Sequence, residues 1–166
     1  WIYFLTSDGL MMSRELRVIP ECHVDTLLVD LMGFKKPNHQ QGINNVAKKM
    51  SENYKNRLAI GVIDNDKIRL HKYYEDFAVS ESQEHFRFEY KPETKHFAVV
   101  ISPDFERCMF NIADELNVDP GKYGFSTLKQ FKRLTKSTNV ADNPKVRGFL
   151  ESLINKKNSP LKEVKT

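Results

Sequence analysis

Leu58-Ala59-Ile60-Gly61-Val62-Ile63-Asp64-Asn65-Asp66 is an apolar run that breaks into two aspartates one residue apart. Ala59 to Ile63 is uninterrupted and carries β-branched residues, the pattern of a strand buried on both faces. Asp64 and Asp66 stand where that strand should end. In open α/β sheets, ligands bind at the carboxyl ends of the strands. By the two-residue period both carboxylates lie on the same side of the strand, where they can share a hard cation. Asp-Asn-Asp is also good turn chemistry. On this stretch alone both readings stand.

Upstream, Glu15 to Glu21 reads as a first strand, with Pro20 tolerated near its end. Val24, Leu27, Leu28, Leu31 and Met32 then follow helical spacing, and Gly33 is a C-terminal stop. Lys35 to Gly42 is polar, with room for at most a short strand. Ile43, Val46, Ala47, Met50 and Tyr54 make a second amphipathic helix before the Asp64 strand. This alternation implies a parallel sheet with right-handed crossovers. Glu21 ends the first strand as Asp64 and Asp66 end the later one. Parallel strands share an edge, so three carboxylates can converge there.

Downstream, Lys67 to Lys95 is less regular and rich in charge and aromatics. Phe86 to Tyr90 suggests a strand in an edge hairpin, and His96 to Ile101 a further strand. Ser102-Pro103-Asp104 looks like a helix start, with Ser102 as cap and Pro103 at the first position. Phe105, Cys108, Met109, Ile112, Ala113 and Leu116 form its apolar stripe. Asn117 to Gly124 reads as a loop. Ser126 can cap a basic helix with Leu128, Phe131 and Leu134 inward. Asn143-Pro144 opens a last helix with Val146, Phe149, Leu150, Leu153 and Ile154 on one face.

The expected fold is α/β: a mostly parallel central sheet flanked by helices, with C-terminal helices. Residues 15–116 form the α/β core and 117–156 a helical part of the same domain. Residues 157–166 are expected to be a flexible, frayed tail. Residues 1–14 are an extension or an edge strand over Ile2 to Leu5; Met11 or Met12 is a candidate natural start.

A chain of 166 residues is long enough for one domain with a core. Its 26 basic and 22 acidic residues leave a net charge of +4, which permits a polyanionic partner. The surplus falls late, and Lys129, Lys132, Arg133 and Lys136 form a stripe that either contacts phosphates or is a solvated helix face. No apolar run approaches the roughly 20 residues of a membrane span. Two cysteines without zinc or CxxC spacing read as reduced, buried thiols of a cytoplasmic protein. His71, His85 and His96 lack metal-ligand spacing. His23 reads as a helix-entry residue.

Val18-Ile19-Pro20-Glu21, an amphipathic helix with an acid in its first turn, a second helix and Gly61-Val62-Ile63-Asp64-Asn65-Asp66 together resemble the Toprim fold. That catalytic domain is shared by topoisomerases, bacterial primases and the overcoming-lysogenization-defect nucleases. The resemblance covers roughly residues 15 to 116, and the small stand-alone Toprim-like proteins look most similar in length and layout. Cys22 stands where many Toprim domains have glycine, a departure that weakens the match to topoisomerases and primases more than to the nuclease branch.

The resemblance implies a Mg²⁺-dependent nuclease, or another phosphodiester-acting enzyme, in phage defence or nucleic-acid processing. Asp64 and Asp66 would hold Mg²⁺ or Mn²⁺, and Glu21 would be a further ligand or a general acid/base. Asp25 would orient a water on the metal, or is simply a first-turn acid favoured by the helix dipole. Asp104 and Glu106 would complete a metal shell, or are likewise first-turn acids at the later helix start. Nucleic acid is the implied partner, together with an ATPase in trans, since the sequence has no Walker A stretch. A homodimer is one open option for assembly. The competing function is a catalytically silent module, of the same fold, that binds nucleic acid or a protein. Other Asp-x-Asp enzymes fit less well. Aspartate-nucleophile phosphatases want Thr or Val where Ile68 stands, and receiver domains want a pair of acids where Glu21-Cys22 stands.

Overall fold

The computed structural model describes residues 15–68 and 71–165. The reading of Ile2 to Leu5 as an edge strand, and of Met11 and Met12, lies outside the described residues. Five strands form one sheet: β1 (Val18–Pro20), β2 (Ala59–Asp64), β3 (Ala78–Ser82), β4 (Phe86–Lys91) and β5 (His96–Ile101). Their order across the sheet is β1-β2-β5-β4-β3. β1, β2 and β5 run parallel, and the β5–β4 and β4–β3 pairs are antiparallel. The protein is therefore α/β with a mixed, mostly parallel sheet, and the expected hairpin is β3–β4.

The β-branched runs make this sheet because they fill both faces. Val18, Val62, Val99 and Ile101 pack with α1 (His23–Leu31), α4 (Phe105–Glu115), α6 (Pro144–Asn155) and Phe131 of α5 (Leu128–Thr135). Ile19, Ile63, Ala98 and Val100 face the other way, onto Val46 and Ala47 of α2 (Ile43–Lys48), Met50, Tyr54 and Tyr74. Gly61 lies under this second layer. A Cβ there would stand 3.1 Å from Met50 Sδ and 3.3 Å from Val46 Cγ1, so any side chain at this position would require those neighbours to give way.

Several local expectations are corrected. The polar stretch before α2 contains no strand, yet it covers the outer edge of β1. Asn38 N donates to Val18 O at 2.8 Å and Gln40 N to Pro20 O at 3.0 Å. Such cover protects an edge from pairing with another chain. The second helix is α-helical only to Lys48 and continues as a π-helical turn over Lys49–Asn53. The Ser102–Pro103 bond is cis, and α4 starts at Phe105, so Pro103 is not its first residue. Asp104 caps that helix instead, accepting from Arg107 N at 2.9 Å. Thr127, not Ser126, caps α5 by accepting from Gln130 N; Ser126 N donates to Gln130 Oε1 at 2.8 Å. The tail is not simply frayed. Pro160–Lys165 is a 3₁₀ helix, and Leu161, buried to 1 %, joins the core.

The last helix starts as the sequence suggests. Asn143 Oδ1 accepts from Lys145 N at 3.0 Å and Val146 N at 3.3 Å, with Pro144 at the first position. Asn143→Ala is expected to cost about 1 kcal/mol, measured by urea unfolding.

Candidate carboxylate site at the sheet edge

β1 and β2 are in register from Val18↔Ile60 to Pro20↔Val62. One residue later Glu21 N donates to Val62 O at 3.0 Å. Glu21 and Asp64 thus occupy the carboxyl ends of neighbouring parallel strands. α1 begins immediately after Glu21 and carries Asp25 in its first turn. All three acids are buried: Glu21 is 3 % exposed, Asp25 1 % and Asp64 7 %. Burying carboxylates is costly unless they are paired or hydrogen-bonded, and groups in such surroundings concentrate at functional sites.

Asp64 Oδ1 accepts from Phe105 N at 3.0 Å. This bond joins the end of β2 to the N-terminus of α4, where the helix dipole favours negative charge. Asp25 Oδ2 accepts from Cys22 N at 3.1 Å and from Cys22 Sγ at 2.9 Å, which closes the start of α1. The first-turn reading of Asp25 therefore has a geometry behind it. Burial raises the Cys22 thiol well above its ordinary range, and the charges of Asp25 and then Asp64 push it further. The same order of causes raises Tyr74: burial, then Tyr73, then Glu21. Asp25 and Asp64 are thus felt on the α1 side of the edge, and Glu21 is felt by Tyr74 in the opposite core layer.

Asp66 is placed differently from the expectation. β2 stops at Asp64, and Asn65–Ile68 is a single helical turn, α3. The two-residue strand period does not reach Asp66, which is exposed in the first turn of α3. Among the described residues, one group of three metal-ligating side chains has its donor atoms within 4.8 Å of one another. It consists of Glu84, His85 and Glu115, not the acids singled out from the sequence. Sequence spacing hides that group because Glu115 lies thirty residues beyond His85, at the end of another element.

The basic stripe divides. Lys129 and Arg133 are exposed on α5, and Lys136 is exposed just beyond its end. Lys132 Nζ reaches Asp104 Oδ2 at 3.2 Å, beside the α4 N-terminus that Asp64 engages. Asp104 is therefore occupied by Lys132 and, at 3.5 Å, by Arg107. Glu106 accepts from Thr135 Oγ1 at 2.5 Å. His96 is structural: its ring nitrogens meet Tyr73 Oη at 2.6 Å and Tyr54 O at 3.0 Å.

His23 and His39 stack beside the site with ring centroids 4.2 Å apart. Partial burial and then the neighbouring His23 lower the His39 pKa. The folded state thus resists a proton that the unfolded chain accepts. The stability this contributes is present above the unfolded histidine value of about 6.5 and is lost as pH falls below it. His39→Gln is expected to flatten the decline in melting temperature between about pH 7 and pH 5, measured by calorimetry.

The cysteines Cys22 and Cys108 are free thiols. No helix among the described residues is long and apolar enough to cross a membrane. Comparisons with protein-family models, curated proteins and solved structures found no match to this chain.

Proposed function

We propose that the protein is a Mg²⁺- or Mn²⁺-dependent nuclease of Toprim type, acting on a phosphodiester at the Glu21–Asp25–Asp64 edge. One observation supports this reading: Glu21 and Asp64, both buried, stand at the carboxyl ends of two adjacent parallel strands, with the buried Asp25 in the first turn of the helix that follows Glu21. The donor set is all oxygen, which suits a hard cation that keeps several waters and takes one or two carboxylates directly. Asp64 and Glu21 would hold the ion. A divalent ion there would polarise a phosphoryl oxygen of the substrate. Asp64 is oriented by Phe105 N, and Asp25 is held by Cys22. The exposed cations of α5 would carry the flanking nucleic-acid backbone. Because the sequence has no Walker A stretch, an ATPase acting in trans is the partner proposed for control. The free thiols suit a cytoplasmic setting.

A second reading is a silent binding module of the same fold. It is favoured by the structural use of Asp64 on Phe105 N and of Asp25 on Cys22. A cleavage assay separates the two. The protein is incubated with supercoiled plasmid, linear DNA and a structured RNA, in Mg²⁺, Mn²⁺ or EDTA. The enzyme reading expects cleavage that EDTA abolishes. No cleavage of any substrate, with no heat of Mg²⁺ or Mn²⁺ binding, would leave the binding module as the function.

A further inference from the structure

At the far end of α4 a different set of ligands assembles. His85, the residue before β4, is 3 % exposed, and its Nε2 lies 2.7 Å from Glu115 Oε1 at the last residue of α4. Glu84, its chain neighbour, brings a carboxylate oxygen into the same group, with all three donor atoms within 4.8 Å of one another. His85 is fixed from its backbone as well, since Ser102 N donates to His85 O at 2.9 Å.

The charge balance of this group is unusual. Two carboxylates converge at the C-terminal end of an eleven-residue helix, where the unpaired carbonyls already make the field negative. Among the described residues no lysine or arginine pairs with Glu84 or Glu115. Among the described residues Glu115 is paired with the buried imidazole.

We propose that Glu84, His85 and Glu115 bind one borderline divalent transition-metal ion, of the Zn²⁺ class, at a site separate from the carboxylate edge. The imidazole selects against Mg²⁺ and Ca²⁺, and the two carboxylates without thiolate select against soft ions. Three protein donors leave at least one position for water or an anion. In the tautomer that carries its hydrogen on Nε2, His85 donates that hydrogen to Glu115 Oε1. Ligation moves that hydrogen to Nδ1 or releases a proton from a doubly protonated ring, and Nε2 then donates its lone pair to the ion. The ion would clamp the start of β4 to the end of α4.

The test is a Zn²⁺ titration of the full chain by calorimetry, beside Glu84→Gln, His85→Gln and Asp64→Asn. The side chain of Glu84 is exposed and makes no hydrogen bond among the described residues, so its variant should fold normally. The expected result is a saturable site that weakens at least about tenfold in Glu84→Gln, disappears in His85→Gln and persists in Asp64→Asn. Nitrogen NMR of the native protein supplies a readout independent of the buried variant, because Zn²⁺ should shift His85 Nε2 selectively. An unchanged isotherm in Glu84→Gln, or a His85 Nε2 resonance unmoved at saturating Zn²⁺, would overturn the proposal.

Discussion

Asp64→Asn is expected to lower metal-dependent phosphodiester cleavage by about 10²–10³-fold while leaving the protein folded. The substitution separates two roles of one side chain. Asparagine keeps an Oδ1 that can accept from Phe105 N, the bond that measures 3.0 Å with aspartate. It loses the negative charge that a hard cation requires. Asp64→Ala should behave differently, because it leaves the Phe105 N–H without its partner and costs about 1–3 kcal/mol of stability in addition to activity. Asp66→Asn supplies the contrast. Asp66 is exposed on α3, beyond the end of β2, so its loss should change the rate by less than about tenfold. Initial rates on a single substrate, with melting curves for each variant, check the set. Equal rates for wild type and Asp64→Asn would remove Asp64 from the chemistry.

Phe149→Ala should be strongly destabilising, at about 3–5 kcal/mol. Phe149 is fully buried on α6, and its ring lies 5.1 Å from Phe125, 5.3 Å from Phe131 and 6.2 Å from Phe110, centroid to centroid. Phe125 and Phe131 are themselves stacked at 4.8 Å, and Phe131 leans on Phe105 at the start of α4. Removing one ring opens a cavity among neighbours that cannot all move inward. A loss of this size is a large part of the 5–15 kcal/mol typical of a whole domain. Residues 117–156 share this core with the sheet, so urea unfolding followed by circular dichroism should remain one transition at a lower midpoint. Two separated transitions would instead mark the helical part as an independent unit.

Much of this architecture is legible in the chain because its signals are local. Ala59–Ile63 and Phe97–Ile101 announce buried strands through β-branched runs, and Asn143-Pro144 announces a helix start through a cap and a fixed φ. Glu21 and Asp64 were placeable at one edge because parallel strands share their carboxyl ends. What escaped depends on contacts between distant residues or on choices between near-equal neighbours. Thr127 and Ser126 are both good caps, and only the course of the chain selects Thr127. Pro103 suits a helix start by composition, yet Asp104 takes the cap and the helix starts at Phe105, two residues later. β3 is an exposed edge strand with a register shift between Val79 and Glu81, so it lacks an apolar period to read. Asp66 left the predicted alignment because the chain turns helical at Asn65, a change that Asp-Asn-Asp permits as readily as extension. The Glu84–His85–Glu115 group could not be read at all, since it needs β4 and α4 to meet.

The most direct test of the carboxylate edge as a metal site is diffraction from crystals soaked in Mn²⁺, with an anomalous map calculated at the manganese edge. The account predicts a peak beside Asp64 and Glu21 that is lost in Asp64→Asn crystals. A saturating soak that places manganese nowhere near Asp64, Asp25 or Glu21 would contradict it.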